Sequence, residues 1–480
     1  MSFISVFYLL FLALTATAFY LLPPKFRSIW LLLTSYFFYL TWQPAFLGIL
    51  FFVSLLAFLF GKKIASITDR KQKKDWLIRS VIVLILPLVF FKYYNFLNEN
   101  LAEILGLIAF DSPFVNQPYL IPLGISFFTF QAISYVADIY RGYLKPEERI
   151  EKFAVYMAFF PTLLAGPIER AKSILSQINN PASFQYQNIR AGLQLILWGV
   201  FKKVVLADRM LDFMERVYAD PQNFQGIFVY LAIIFSVFQL FCDFSAYSDI
   251  AVGSAKIFGI KLTKNFNDRV YAAPSREIFW QGWHRSLTSW LRDYVFFPLS
   301  RGVKTRAGLY VNLLIVYFLV GLWHGAAWGF IIWGILNGIW LVLENITKQK
   351  RWQFFTSLGF DINGKFYYFF SWLLVFHVGA IFGVFFRTDT LHEALNFFGN
   401  VVNPNINLIY SQEGRMCLIT IAFLFFMDLI NRQIPANQNF DAFIGGQKIW
   451  FRWLIYLLLA EAILRYIFVF DNARFIYFNF

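Results

Sequence analysis

Two of the chain's four histidines follow a tryptophan, and both lie in apolar, aromatic-rich surroundings. His324 stands in VGLWHGAAWGF (320–330), and His284 forty residues earlier in WHRSL. A neutral imidazole takes up and returns a proton near neutral pH, so each is a candidate general base; a hydrogen-bonded structural histidine is the competing reading. Trp283 and Trp323 precede them, and Trp328 follows. Gly321, Gly325 and Gly329, then Gly334 and Gly338, recur at four-residue spacing and let a helix or a ligand approach the backbone closely. A metal site at the two histidines is not favoured, because neither HExxH nor a carboxylate at ligand spacing accompanies them.

Other polar groups interrupt apolar runs and are weighed in the same way, since ionisable groups at membrane depth are costly. In FCDFSAYSDIAVG (241–253), Asp243, Ser245, Tyr247 and Asp249 form one such cluster. Asp243 and Asp249 are too far apart for one helical face, so a bend or unwound turn is expected between them. Arg292 and Asp293, in WLRDY, are candidates to shape a site or to anchor a boundary helix. Glu461 and Arg465 are four apart and read as a structural pair that neutralises itself on one helix face. His377 and His392 lack such company and read as satisfied core or loop histidines. Cys242 and Cys417 stand in apolar surroundings and suggest neither a disulfide framework nor a thiolate metal site.

A membrane-depth histidine with a second nearby, glycine-permitted close approach, aromatic walls and a basic mouth together point to acyl transfer. The basic mouth would attract an anionic donor, such as a coenzyme A thioester or an acidic carrier protein. The imidazole would take the proton from an acceptor hydroxyl as its oxygen attacks the thioester. No bound cofactor is expected; the thioester is a co-substrate.

The elements that must hold these groups are membrane helices. The chain has 480 residues, 59% hydrophobic, 21% aromatic and only 15% charged, where a soluble domain carries about a quarter charged residues. Apolar runs long enough to cross a hydrocarbon core of ~30 Å recur near 4–22, 28–41, 45–60, 80–96, 118–140, 189–207, 226–254, 308–323, 325–344, 366–386, 415–430 and 449–470. With shorter segments at 153–168 and 284–299, about 11 to 13 passes are expected in an all-α polytopic protein.

The net charge of +14 does not indicate nucleic acid, because the basic residues lie in loops between apolar segments. The loop at 61–79 has seven Lys/Arg against two Asp, whereas 93–140 has none, which places the first in the cytoplasm and the second outside. Counting back three helices puts the N-terminus outside. The first apolar run lacks the basic start and the small-residue cleavage site of a signal peptide, and reads as a retained helix.

No linker and no repeat divides the chain, so 1–480 reads as one membrane domain. Two segments depart from simple spans. FFPTLLAGPIER (159–170) is broken by Pro161, Gly166 and Pro167 and reads as re-entrant. The segment 255–306 has ten Lys/Arg and three acidic residues around an aromatic core, and reads as a cytoplasm-facing element packed into the membrane boundary.

Five motifs carry a resemblance: PLGISFFTFQAISYVADIYRG (122–142), AGPIER (165–170), FCDFSAYSDIAVG (241–253), FWQGWHRSLTSWLRDYVFFPL (279–299) and GLWHGAAWGFIIWGILNG (321–338). In this order they resemble the membrane-bound O-acyltransferase family, in its bacterial branch of alginate O-acetyltransferases and D-alanyl transferases. The resemblance implies a ring of helices around a thinned, funnelled membrane centre open to a cytosolic donor. It implies that His324 is catalytic and that His284 is the second functional position, where many eukaryotic relatives have asparagine. It departs from the family pattern at Gln281, Gly282 and Arg285, and across NDRVYAAP (267–274).

The C-terminal RFIYFNF also looks like the alginate-type branch, which favours acetyl over D-alanyl transfer. The implied protein sits in a bacterial inner membrane, in contact with lipid. It takes an acetyl group from a cytosolic donor or carrier for O-acetylation of an exported polysaccharide, with a periplasmic or extracellular acyltransferase completing the transfer. D-alanyl transfer to teichoic acid is the nearest alternative. A transporter or flippase would favour inverted repeats with paired broken helices, and none is visible. A scaffold of an export complex is the role left if catalysis lay elsewhere.

Overall fold

The structure is a computed structural model; it describes residues 1–108, 115–117, 121–401, 419, 422 and 444–467, apart from 165, 225, 268, 269 and 389. The expected span near 415–430 and the C-terminal RFIYFNF fall outside the described residues, as does Cys417. Among the described residues the regular structure is helical, and six helices are long and apolar enough to cross a membrane: Pro44–Ser66, Arg70–Gly106, Ile227–Ile257, Arg306–His324, Trp328–Ser357 and Lys365–Phe385. Helices answer the demand that lipid makes on the backbone, since every N–H and C=O must be satisfied within the segment. The chain is a multi-pass membrane protein of the all-α class. Its large exposed hydrophobics, such as Phe7, Leu14, Phe52 and Leu86, are what a lipid-facing surface requires.

The chain divides into two compact units, Met1–Ile196 with Ser248–Thr263, and Leu197–Tyr247 with Lys264–Phe480. In the first, α1 (Val6–Leu21), α2 (Pro24–Leu40), α3 (Leu47–Ser66), α4 (Arg70–Gly106) and α5 (Ile125–Arg141) precede three short helices, α6 (Ile150–Ala158), α7 (Phe160–Leu163) and α8 (Ala171–Asn179). Tyr8, Phe11, Phe38 and Phe160 build its aromatic core, with Phe11 and Phe160 edge to face at 5.2 Å. The broken stretch at 159–164 is buried, as irregular backbone at membrane depth must be, and Ser35 Oγ accepts from the Phe160 N–H at 3.2 Å. Gly124 begins α5 at φ 74°, and a side-chain carbon there would meet the Leu163 carbonyl oxygen at 2.3 Å, so the position admits only glycine.

The second unit carries the candidate residues. It follows α9 (Tyr186–Phe201) through a π-helical turn at Lys202–Ala207 into α10 (Asp208–Ala219), and takes up the first part of α11 (Ile227–Ile257). The short helices α12 (Arg276–Gly282), α13 (Arg285–Leu291) and α14 (Phe297–Ser300) lead to α15 (Arg306–His324), α16 (Trp328–Ser357), α17 (Lys365–Phe385), α18 (Leu391–Gly399) and α19 (Ile449–Tyr466). The stretch 276–300 is thus built of helices too short to span, consistent with an element at the membrane boundary.

One sequence expectation is corrected here. Helix α11 runs unbroken from Ile227 to Ile257, with no unwound turn between Asp243 and Asp249. The polar run needs no break because a cation from the preceding π turn meets it, as described below.

Candidate active site

The α15–α16 hairpin sets the position of His324. A side-chain carbon at Gly321 would lie 2.4 Å from the Phe330 carbonyl oxygen, and one at Gly334 would lie 2.4 Å from that of Tyr317. The two helices therefore touch backbone to backbone, and the glycine series serves a helix rather than a ligand. Gly325, in the turn, lies under the Phe330 ring in the same way. His324 ends α15, is 2% exposed, and faces aromatic rings: Trp323 at 4.8 Å, Trp333 at 5.0 Å and Phe386 at 5.0 Å, each near perpendicular.

His284 is placed by different means. It is fully buried in the turn between α12 and α13, and it is the one non-glycine residue with positive φ among the described residues (φ 43°, ψ 53°). Such a conformation costs ~1–3 kcal/mol and persists only where the surroundings enforce it. Asn265 does so: its Oδ1 accepts from the Ser286 N–H at 3.1 Å and the Ser286 Oγ–H at 2.8 Å, and its own carbonyl accepts from Arg285 N–H at 2.9 Å. The same Oδ1 lies 3.2 Å from His284 Nδ1. Because a backbone N–H donates to this atom, it is the amide oxygen, and Nδ1 must carry the proton it shares with it. The neutral ring then has its lone pair on Nε2, the form a general base requires. Burial pushes His284 down to about 3 from its ordinary value near 6.5, so the neutral form prevails.

The two histidines meet one shared ring. Trp323 lies 5.3 Å from His284 and 4.8 Å from His324, so one indole contacts two residues forty apart in the chain. Phe244 of α11 covers His284 at 4.7 Å. A cavity of about 60 Å³ lies alongside, lined among others by Ser236, Arg276, Trp283, Trp333, Phe386 and Arg387. Trp333 and Phe386, the rings that face His324, are among its walls, as is Trp283, the residue before His284.

The other candidates separate. Asp243 is fully buried and pairs with Lys203 Nζ at 2.9 Å, which also meets Asp208 at 2.6 Å. Lys202 Nζ donates to Ser245 Oγ at 2.7 Å, and Lys203 lies 5.9 Å over the Tyr247 ring. Asp243, Ser245 and Tyr247 thus form a charge-compensated knot that ties α11 to the π turn. Asp249 is half-buried further along the same helix. Arg292, exposed, and Asp293, half-buried, pair with each other at 2.9 Å and do not line the cavity. Glu461 and Arg465 pair at 2.6 Å one turn apart on α19. Both nitrogens of His377 are engaged, Nδ1 with the Leu373 carbonyl and Nε2 with Tyr230 Oη at 2.7 Å.

Sequence reasoning missed Asn265, Arg276 and Arg387. Asn265 sits in a loop 19 residues before its histidine, with no motif to mark it. The arginines did carry a signal, a charge three residues before FW in SREIFW and directly after FF in FFRTD.

Fold and site define a class, and the chain belongs to it. Residues 149–388 match the membrane-bound O-acyltransferase family, a stretch that includes both histidines, the π turn and the cavity walls. The protein is therefore an acyltransferase. Over 496 residues it is 32% identical to the probable alginate O-acetylase of Pseudomonas putida, covering 99% of each chain. It is 30% identical over 508 residues to the peptidoglycan O-acetyltransferase of Helicobacter pylori, covering 95% of this chain and 92% of that one. Similarity to the teichoic acid D-alanyltransferase of Streptococcus thermophilus is 29% over 279 residues, covering 54% of this chain and 66% of that one.

Proposed function

We propose that this protein O-acetylates an exported or cell-surface polysaccharide, using a cytosolic acyl thioester such as acetyl-CoA, with His324 as general base. The observation that carries the reading is the shared indole: Trp323 contacts both His284 and His324, and the rings of Trp333 and Phe386 that face His324 also line a cavity. Full-length similarity to probable alginate O-acetylases favours acetyl and polysaccharide over D-alanyl and teichoic acid, where the match covers about half the chain.

In this scheme His324 takes the acceptor hydroxyl proton as the oxygen attacks the thioester carbonyl. The tetrahedral intermediate collapses, the C–S bond breaks, and the imidazolium returns its proton to the leaving thiolate. General base catalysis contributes typically ~10²–10⁴-fold. His284, held neutral in a fixed tautomer, is the second functional position.

Basic residues of 61–79 and of the α16 tail, Lys348, Lys350 and Arg351, are cytoplasmic by the positive-inside rule. In this reading the N-terminus lies outside, the membrane is a bacterial inner membrane, and an outer acyltransferase partner completes the transfer to polymer. Mass spectrometry of acyl groups released from the surface polymer, with the gene intact and deleted, tests the reading. Acetate lost on deletion is expected; loss of D-alanine, or no loss, overturns it.

A further inference from the structure

The end of α3 and the start of α4 form a basic ledge that the acyl-transfer scheme does not use. Six exposed cations stand there, Lys62, Lys63, Arg70, Lys71, Lys74 and Arg79. None forms an ion pair with a carboxylate among the described residues; Lys62 donates instead to the Glu148 carbonyl at 3.3 Å. The stretch has two acids to set against them. Asp69 caps α4, accepting from the Gln72 N–H at 2.7 Å, and Asp75 stands exposed.

One ring brings cations of the two helices together. Trp76 packs against Phe60 at 6.5 Å, and it carries Lys63 of α3 at 5.4 Å and Arg79 of α4 at 5.9 Å. A ring face steadies a cation without neutralising its charge, so both remain able to donate to an anion. Below them α4 changes character. Arg79, Ile82 and Leu86 are three and four residues apart and share one side of the helix, and Ile82 and Leu86 are 53% and 55% exposed. A helix of 37 residues is ~55 Å long against a hydrocarbon core of ~30 Å, so the charged first turns of α4 reach the headgroup region and beyond.

We propose that this ledge binds an anionic phospholipid of the cytoplasmic leaflet, with its phosphate on Lys63 and Arg79 and an acyl chain along Ile82 and Leu86. The other four cations draw such lipids to the ledge and hold them at the boundary. Charge and depth together select this occupant. A soluble anionic donor satisfies the cations but has no use for the exposed apolar side chains that follow Arg79 on the same side of α4. The ledge also belongs to the compact unit that does not carry the histidines.

The test is thermal unfolding of the full-length protein in an uncharged detergent with added lipid. Dioleoylphosphatidylglycerol is expected to raise Tm saturably, while dioleoylphosphatidylcholine, with the same chains and no net charge, does not. Glycerol phosphate, which has the anion without the chains, should give no rise at equal concentration. Lys63→Gln with Arg79→Gln should weaken phosphatidylglycerol binding roughly tenfold or more. Lys348→Gln with Lys350→Gln, which removes two exposed charges from the α16 tail, should leave it unchanged. Equal stabilisation by the two lipids overturns the proposal. So do equal losses in the two double variants, which would make the attraction a property of the whole basic surface. Stabilisation by acetyl-CoA that is lost in Lys63→Gln with Arg79→Gln would assign the ledge to the donor and equally overturn it. Should that variant not fold, the wild-type comparison of the two lipids and glycerol phosphate decides alone. No transfer is measured, so the outcome is independent of the acyl-transfer scheme.

Discussion

His284 and His324 both contact the Trp323 indole and are held by opposite means. His324 closes a spanning helix inside a cage of aromatic rings. His284 sits in a left-handed turn between two short helices, tied through Asn265 by hydrogen bonds that also fix which nitrogen carries the proton. The difference teaches what each position tolerates. A packed cage fails when volume is lost, whereas a hydrogen-bonded turn fails when the acceptor is lost or the backbone is refused its conformation.

The largest stability effect is therefore expected at the cage. Trp333→Ala should cost ~3–5 kcal/mol in unfolding experiments in detergent, because a buried indole shared by His324 and Phe386 leaves a hole. Asn265→Ala should cost less, ~1–3 kcal/mol, by stranding buried donors of His284 and Ser286. At His284 the expected order is set by backbone: asparagine tolerates the left-handed region and should hold the turn, while His284→Val should cost ~1–3 kcal/mol through strain. If Val and Asn proved equal, the contrast between turn and cage would collapse.

A pH titration sharpens the same point. His284 is pushed down to about 3 when folded and lies near 6.5 when unfolded. Its contribution is fully present above pH 6.5. As pH falls from there towards 3, the unfolded chain takes up a proton that the folded chain refuses, so stability declines by at most ~1.4 kcal/mol per unit. His284→Asn should remove that slope in urea titrations between pH 6.5 and 5. The smallest effect is expected at the exposed Arg292 of the boundary pair, where Arg292→Gln should change stability by less than ~0.5 kcal/mol.

The six long spanning helices among the described residues were legible because a lipid environment writes them as long apolar runs, and the two WH dipeptides marked the histidines without any fold in hand. The unbroken course of α11 was not legible. Six residues separate Asp243 and Asp249, and a polar run in an apolar helix argues for a break until Lys203 arrives from another element and neutralises Asp243. The glycines at 321 and 334 read equally well as ligand space or helix contact, and only the hairpin geometry chose the latter. Asn265 escaped for the same physical reason as Lys203. A hydrogen bond or ion pair formed across distant segments leaves no periodicity in either.

The central claim is that His324 takes the acceptor proton. Acetyl content of the surface polymer, measured in cells that carry His324→Ala at wild-type expression and membrane insertion, tests it most directly. The account predicts a loss of at least ~10²-fold, in line with removal of a general base. Undiminished acetylation in that variant would contradict it.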